Sequence, residues 1–542
     1  MTMGGRITVS KSTLVRPAQE TPRRRLWLSS LDLAAPRMHL PSVRFYRHGG
    51  NRPDGGDGVP PADNEGSRFF DGERMRRALA EALVPFYPMA GRLGHDGDGR
   101  LEIDCNGEGV LFVEADAADT TVDDYGDFAP TAELRRLVPA VGEYTDDVSA
   151  LPLLLLQVTY FKCGGVCLGV ATDHYVSDGM STSHFVNSWA ELCRRGTKIS
   201  SVPYIDRTLL RAREPPTPSF RHVEYLPPPA ALPATTAKLL LSASDESTPP
   251  ATTAVDIFKL TLSDLARLRA QLPSRVDDVS QPRRLSMYAV VAAHVWRCVS
   301  LARGLPPDQP TMLIAAVDGR SRLPLPAGFL GNVVFSATPI SEASTVMTRG
   351  AAAGVVQAAL DRMDGDYCRS ALDCLEMQPE HLSDIARRRA ATFWYNLVVT
   401  SWVRMRIHDA DFGWGRPVFM GPGGIAKEGL AFVLPSADGD GSLSVAVCLR
   451  AEHMDKFRVL ILHPEVARLG FRPDGGDVFR SQVDDDDVMC EVVRRVGVRR
   501  QWTRRPSTID HGGAAPVDDS AVSVASSLDV VGVRSLTAAP PR

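Results

Sequence analysis

The spacing of apolar positions in the first half of the chain predicts alternating helices and strands. Phe70–Val84 carries its apolar side chains at helical spacing and predicts a helix. Leu153–Phe161 and Val166–Thr172 are apolar runs separated by a short glycine-containing segment, which predicts two strands paired through a tight turn. Met180–Arg194 predicts an amphipathic helix. Its inward face would carry Phe185, Trp189 and Leu192.

The second half repeats the same mixture of patterns. Ile257–Leu260 predicts a strand, and Ser263–Leu272 predicts a helix directly after it. Met287–Ala302 predicts a second helix, whereas Leu443–Cys448 predicts a late strand. Since strands and helices mix in both halves, the pattern favours an α/β fold with two sandwich domains joined by a crossover.

Segments rich in small and polar residues divide the chain. Gly49–Ser67 is dominated by Gly, Pro and Asp, as expected for a surface loop. A second segment is rich in Pro, Ala, Ser and Thr, and the C-terminal stretch has charge runs without a sustained period. We therefore predict an N-terminal domain over 1–214, a crossover linker over 215–253, a C-terminal domain over 254–463 and a disordered tail over 464–542.

Composition narrows the class of protein. Lys and Arg number 61 against 65 Asp and Glu in 542 residues, so no global basic charge indicates a nucleic-acid partner. The nine cysteines are scattered, and Cys163 and Cys167 have no second pair nearby, which favours reduced thiols over a zinc site. The N-terminus has no apolar signal core, and the longest apolar run, around Leu151–Leu156, is too short for a membrane span. We expect a cytoplasmic protein without a metal.

The end of the predicted strand Val166–Thr172 carries the first candidate chemistry. His174 and Asp178 form an H-x-x-x-D pattern that Gly179 follows, at the place where open α/β sheets bind ligands. Histidine is suited to general-base chemistry near neutral pH. The structural alternative is a loop histidine followed by an aspartate that caps the next helix. A serine nucleophile is not indicated, because the chain contains no G-x-S-x-G elbow.

Asp411–Gly415 reads Asp-Phe-Gly-Trp-Gly and is the second conspicuous motif. A protein kinase is excluded, because the chain has neither the glycine-rich loop nor the H-R-D catalytic loop. Gly413 and Gly415 flank Trp414, which predicts a tight loop closed by an aromatic side chain.

The two motifs, in this order and this far apart, resemble those of the plant BAHD acyl-CoA-dependent acyltransferases. Further segments resemble the branch that transfers hydroxycinnamoyl groups from CoA to shikimate or quinate. These segments are Ala82–Leu93, Glu102–Asp116, Leu155–Gly165, Tyr204–Pro216, Asp318–Val334 and Ser401–Pro435. The resemblance runs from about Ile7 to about Leu462.

The resemblance implies two chloramphenicol-acetyltransferase-like domains with a solvent channel between them. His174 matches the catalytic base, and Asp178 is expected to pair with Arg320 and, with Gly179, to fix the loop. Asp411 matches the second motif, which in the family shapes the C-terminal half and its CoA channel without proton chemistry. We nevertheless include Asp411 with His174 among the catalytic candidates. Gly413, Trp414 and Gly415 are expected to be structural.

The resemblance also implies the groups that contact the substrates. The indole N–H of Trp402 is the candidate donor to the oxyanion, and Thr400 matches a substrate-contacting position; a core tryptophan is the structural alternative for Trp402. Arg387 matches an arginine that would bind the acceptor's carboxylate, although it lies in a run of three arginines that also suits an exposed basic helix face. Acyl-CoA is a co-substrate, and no cofactor is expected.

The N-terminal segment departs from the branch. Ser42 retains a polar residue near the acceptor, whereas Leu40 and Arg44 replace a threonine and a tyrosine. Arg44 would either add a cationic contact to an acidic acceptor or close the pocket. Asp173, beside the catalytic motif, would favour a cationic amine if it faced the channel.

The sequence thus favours an O-acyltransferase that moves a hydroxycinnamoyl group, such as p-coumaroyl, from CoA to shikimate, quinate or a similar acid. Within the family, the alternative is an N-acyltransferase that uses a polyamine or an aromatic amine. A third hypothesis places the chain in another class of protein, as a non-catalytic binder of CoA esters. A monomer acting on small molecules is expected, without a nucleic-acid partner.

Overall fold

The computed structural model describes residues 5–48, 69–140, 147–196, 198–225, 252–272, 285–348, 350–383, 385 and 395–463. The predicted loop Gly49–Ser67, residues 226–251 of the predicted linker and the predicted tail 464–542 lie outside these residues. One end of the described part of the linker packs against the second half of the chain: Tyr225 is fully buried, and His222 Nε2 lies 2.8 Å from the hydroxyl of Ser370.

Strands are distributed over the whole described chain. In chain order they are β1 (Thr8–Val15), β2 (Arg25–Trp27), β3 (His39–Tyr46), β4 (Arg92–His95), β5 (Leu101–Asp104), β6 (Val110–Ala117), β7 (Leu154–Phe161), β8 (Val166–Asp173), β9 (Thr253–Leu260), β10 (Pro310–Asp318), β11 (Val334–Ala337), β12 (Ile340–Glu342), β13 (Leu397–Ser401), β14 (Phe419–Pro422), β15 (Leu430–Pro435) and β16 (Leu443–Arg450).

Helices flank these strands. The α-helices are α1 (Ser30–Leu33), α2 (Gly72–Ala82), α3 (Ala132–Arg135), α4 (Gly179–Arg195), α5 (Leu262–Ala270), α6 (Met287–Arg303), α7 (Ala343–Met347), α8 (Ala351–Asp361), α9 (Gly365–Glu376) and α10 (Ala451–Leu462). Short 3₁₀ helices cover Tyr87–Ala90, Val122–Tyr125, Arg207–Leu210, Val223–Tyr225 and Pro379–His381.

The strands of the described residues form three sheets, of which the two larger ones have mixed direction. The first has the order β1-β6-β7-β8-β3-β14, and the second runs β11-β10-β13-β15-β16-β9, with β12 beside β10. The third is the small sheet β2-β5-β4. Parallel pairs join β6 to β7, β10 to β13 and β13 to β15, whereas the other pairs are antiparallel. The predicted α/β class with two mixed-sheet domains and flanking helices is confirmed.

The local elements follow the apolar patterns that predict them. β7 and β8 pair antiparallel across the predicted turn. Helix α4 begins at its cap Asp178, whose carboxylate accepts from Ser181 N, and ends at Gly196, whose φ of 71° is the left-handed conformation that suits glycine. The predicted inward residues Phe185, Trp189 and Leu192 are all buried.

The two main sheets have separate apolar cores. Trp189 of α4 lies in the core of the first sheet and donates its indole N–H to Met75 O at 3.0 Å, which ties α4 to α2. Trp296 of α6 lies in the core of the second sheet. Strand β14 does not follow the division by chain order: it comes after five strands of the second sheet, yet it pairs with β3 at the edge of the first sheet.

Candidate active site

His174 is the first residue after β8, in the loop that leads to α4. Its backbone N–H donates to Met38 O at 2.9 Å, and its carbonyl accepts from Asn332 Nδ2 at 2.6 Å. The imidazole is half-buried, with Nδ1 in the interior. The loop therefore holds the backbone of the candidate base from both sides while part of the ring stays accessible.

Asp178 is occupied by contacts within the protein. Arg320 donates to both of its carboxylate oxygens, at 2.8 and 3.0 Å, and the backbone N–H groups of Ser181 and Val333 donate at 2.9 and 3.0 Å. Burial alone would raise the pKa of Asp178, but Arg320 and these donors hold that pKa below its ordinary value of 3.8. The predicted pair of Asp178 with Arg320 is thus present, and it joins the loop to the second half of the chain.

The turn that follows Trp402 lies close to the start of α4. Trp402 follows β13, which carries the half-buried Thr400, and its backbone N–H donates to Val433 O at 2.8 Å. The turn after it brings Met405 against Gly179, where a Cβ would lie 2.9 Å from Met405 Cε. Glycine at 179 therefore allows the Trp402 turn to approach the start of α4.

Three of the candidate acceptor residues share one face of β3. Leu40 lies opposite Thr172 of β8, Ser42 opposite Val170 and Arg44 opposite Leu168, so the three alternate with the residues on the other face. Leu40 is half-buried, whereas Ser42 is buried. The structure thus aligns them along a strand that pairs with β8, whose C-terminal end leads directly to His174.

Arg44 is an unusual interior residue. Its side chain is buried, at 1% exposure, and its guanidinium donates one long hydrogen bond, 3.3 Å, to the Ser42 hydroxyl. Among the residues that the structure describes, it makes no ion pair with a carboxylate. Burial lowers the pKa of Arg44. Burial, together with the positive charge of Arg44, also lowers the pKa of His408 to about 4.

Asp173 is also buried, at 3% exposure. It lies opposite His39, on the face of β8 that carries Ala171, and not on the face that carries Thr172. Burial raises the pKa of Asp173 to about 7, although Tyr175 N donates to the carboxylate at 2.9 Å. Asp173 therefore lies on the face of the sheet opposite to the one that carries Leu40, Ser42 and Arg44.

The Asp-Phe-Gly-Trp-Gly segment forms the predicted tight loop. Asp411 Oδ1 accepts from the backbone N–H groups of Gly413 and Gly415, at 2.8 and 3.0 Å, and both glycines have positive φ. Trp414 stacks on Phe70 with ring centroids 5.0 Å apart. The aromatic side chain thus closes the loop onto the first core.

The two motifs lie at opposite ends of α4. Asp178 caps its first turn, whereas Arg194, in its last turn, places a guanidinium nitrogen 3.2 Å from Asp411 Oδ2. The helix has 17 residues, which corresponds to about 25 Å. Because of this separation, Asp411 does not share a site with His174, and its grouping with the catalytic candidates has no support from the structure.

Arg387 lies outside the described residues, so its position stays a prediction. In the described part of the chain, no three His, Cys, Asp or Glu side chains are arranged to hold a metal ion, and no helix is long and apolar enough to cross a membrane.

Three residues that hold the His174 loop, Asp32, Arg207 and Asn332, were not predicted from the sequence pattern. No local signal could have indicated them, because each partner is remote in sequence.

Comparison with known proteins agrees with this geometry. Residues 5–460 match the profile of the family described as "Transferase family". The chain belongs to that family, the BAHD acyltransferases. More narrowly, its curated relatives place it among the plant hydroxycinnamoyltransferases.

Three of those relatives illustrate the similarity, and two of them are named for an acceptor. The chain is 66% identical to Hydroxycinnamoyltransferase 1 of Oryza sativa subsp. japonica, over 84% of this chain and 99% of the relative. It is 65% identical, with the same coverage, to the Hydroxycinnamoyl-CoA:5-hydroxyanthranilate N-hydroxycinnamoyltransferase HHT4 of Avena sativa. Identity to the Shikimate O-hydroxycinnamoyltransferase of Nicotiana tabacum is 51%, over 83% of this chain and 98% of the relative.

A solved structure shows the same fold. Vinorine synthase superposes with a TM-score of 0.60 at 22% identity, covering 83% of this chain and 96% of that chain. At this identity the likeness concerns the fold alone.

Proposed function

We propose that the protein transfers a hydroxycinnamoyl group from a CoA thioester to an acidic acceptor, with His174 as general base. The observation that carries this proposal is the division of roles at the start of α4. Asp178 is committed to Arg320 and two backbone donors, whereas the neighbouring histidine is half-buried at the end of β8. The histidine is therefore the residue of this motif that is suited to exchange protons.

The proposed reaction needs no acyl-enzyme. The acceptor's N–H or O–H attacks the thioester carbonyl carbon while His174 removes the proton. The carbonyl oxygen becomes an oxyanion that the indole N–H of Trp402 stabilises, with Thr400 contacting substrate. The tetrahedral intermediate then expels the CoA thiolate, and the imidazolium returns the proton to sulfur, so free CoA and the acylated acceptor leave.

The first candidate acceptor is an aromatic amino acid of the hydroxyanthranilate type. The relative at 65% identity, and another oat protein at 60%, are named for 5-hydroxyanthranilate N-acylation. Such an acceptor has an aromatic amine, which is a neutral nucleophile at neutral pH, and a carboxylate for a cationic contact. It therefore reconciles an amine acceptor with the proposed carboxylate handle Arg387.

The second candidate is O-acylation of shikimate or quinate, which the sequence favours and which a relative at 51% identity is named for. A polyamine acceptor gains no support from Asp173, because Asp173 lies on the opposite face of the sheet from the candidate acceptor residues of β3. The burial of Arg44 favours its closing the pocket over its contacting the acceptor.

The test presents p-coumaroyl-CoA with 5-hydroxyanthranilate, shikimate, quinate, glycerol and spermidine, and identifies products by mass spectrometry. We expect His174→Ala to remove most of the activity, by roughly a hundredfold or more. His184→Gln is the matched control: His184 lies on α4, outside the H-x-x-x-D motif, and its Nε2 contacts Ser201 O at 2.9 Å. A parental rate for His174→Ala would overturn the general-base role, and no product with any acceptor would favour a non-catalytic binder of CoA esters.

We further propose a cytoplasmic monomer. Cell fractionation and light scattering of the purified protein test these two points.

A further inference from the structure

The three loop residues after β8 have an unusual common feature. Their consecutive carbonyl oxygens all accept hydrogen bonds from side chains that lie elsewhere in the sequence. Asn332 Nδ2 donates to His174 O at 2.6 Å, and the Arg207 guanidinium donates to Tyr175 O at 3.2 Å and to Val176 O at 2.5 Å. The backbone of the candidate base is therefore held by groups that are not part of its own strand or helix.

Both donor side chains converge on one buried carboxylate. Asp32 Oδ1 accepts from Asn332 N at 2.9 Å and Asn332 Nδ2 at 3.0 Å, and lies 3.1 Å from an Arg207 guanidinium nitrogen. The side chains of Asp32 and Arg207 are 0% and 2% exposed, and Asn332 is 2% exposed. In such a dry environment, hydrogen bonds to a charged group are strong and leave little freedom to the groups that make them.

Asp32 is itself fixed to the chain. Its second oxygen, Oδ2, accepts from the backbone N–H and the hydroxyl of Ser29, at 2.8 and 2.7 Å, and so completes the capping box of α1. The network therefore leads from α1 through Asp32 to Asn332 and Arg207, and from these two residues to the loop. A carbonyl that cannot rotate fixes the peptide plane next to it, and this restricts the direction in which the His174 side chain leaves the backbone.

We propose that Asn332 is a positioning residue for the general base, and that Asp32 and Arg207 hold Asn332 and the loop in place for this purpose. Asn332 acts through the peptide group of His174 and touches no reacting atom. The inference rests on the proposed function, because positioning matters only if His174 is the base. It predicts that loss of the Asn332 amide slows the chemical step and leaves substrate binding intact.

The test compares Asn332→Leu with Gln157→Leu. Gln157 is a matched control because it is also a buried amide that donates to a loop carbonyl, Arg136 O, but it lies on β7 opposite Gly169. We would measure kcat, both KM values, the pH dependence of kcat, the affinity for CoA by calorimetry, and the thermal midpoint.

For Asn332→Leu we expect kcat to fall roughly 10- to 100-fold, because a displacement of about 1 Å has this effect on a catalytic group. Both KM values and CoA affinity should stay within about twofold of the parent. Gln157→Leu should lower the thermal midpoint without this loss of kcat. If Asn332→Leu does not fold, Asn332→Ser, which is too short to reach His174 O, is judged by the same criteria.

Three results would overturn the inference. The first is a parental kcat in either Asn332 variant. The second is an equal loss of kcat in Gln157→Leu. The third is failure of both Asn332 variants to fold while Gln157→Leu folds, since that would show a structural role only. His174→Ala separates this inference from the proposed function: an active His174→Ala enzyme refutes the general base itself, whereas an inactive one beside a fully active Asn332→Leu refutes only the positioning.

Discussion

The ion pair between Asp178 and Arg320 permits a quantitative prediction about stability. Arg320→Met removes the cation and leaves a carboxylate whose side chain is 2% exposed, with two backbone donors as its remaining partners. We expect the free energy of unfolding to fall by about 3–5 kcal/mol, as for a buried charge that loses its partner.

The reverse substitution should cost less. In Asp178→Asn, the Arg320 guanidinium retains Asp318, at 2.9 Å, and the carbonyl of Gly331, at 3.0 Å. We expect a loss of about 1–3 kcal/mol, the usual cost of weakening hydrogen bonds to a charged group. The double variant should be less destabilised than the sum of the two single variants, because removing both charges leaves no unpaired carboxylate.

Urea unfolding followed by tryptophan fluorescence measures these differences at pH 7. The pKa of Asp178 is below its ordinary value of 3.8, so the pair stabilises the fold fully above about pH 4 and this contribution disappears as the pH falls through the folded-state pKa. The gap between parent and Arg320→Met should therefore narrow in strong acid. Additivity of the two single variants to within about 0.5 kcal/mol would refute the reasoning.

Two further predictions concern the other buried charges. Arg44→Met should raise the free energy of unfolding by about 1–3 kcal/mol in urea titrations, because it removes an interior cation that has one long hydrogen bond; a higher acceptor KM with unchanged stability would instead make Arg44 a substrate contact. Burial raises the pKa of Asp173 from its ordinary value of 3.8 to about 7 in the folded protein. Between about pH 4 and pH 7 the carboxyl is therefore ionised in the unfolded chain and still protonated in the folded one, so the parent protein should lose stability as the pH rises through this range. Asp173→Asn should reduce that decline and be more stable than the parent at pH 8, and an unchanged pH profile would contradict the assignment.

Sequence patterns correctly predict the elements whose stabilising contacts lie between neighbours in the sequence. The β7–β8 turn and helix α4 follow from apolar runs, a glycine turn, a capping aspartate and a terminal glycine, all of which are neighbours in the sequence. The resemblance then placed Arg320 beside Asp178, because it supplied the long-range pairing that periodicity lacks.

Other features depend on contacts that no local pattern encodes. Strand β14 is short, contains Gly421 and ends in Pro422, and its pairing with Ser42 and its neighbours joins distant parts of the sequence. Asn332 is an ordinary polar residue in sequence, and its role emerges only when the fold brings Asp32 and His174 to it. The burial of Arg44 runs against its hydrophilic character and follows from the position of β3 in the interior of the first sheet.

The position of β14 has a consequence for protein engineering. A chimaera that joined the first half of this chain to the second half of a relative would import the edge strand of its first sheet from the relative. Residues of β3 and β14 would then meet as parts of two different parents, along the strand that carries the candidate acceptor residues. A crossover point chosen from chain order alone would take β3 and β14 from different parents. A chimaera designed to exchange substrate preference should therefore take Phe419–Pro422 from the same parent as the rest of the first sheet.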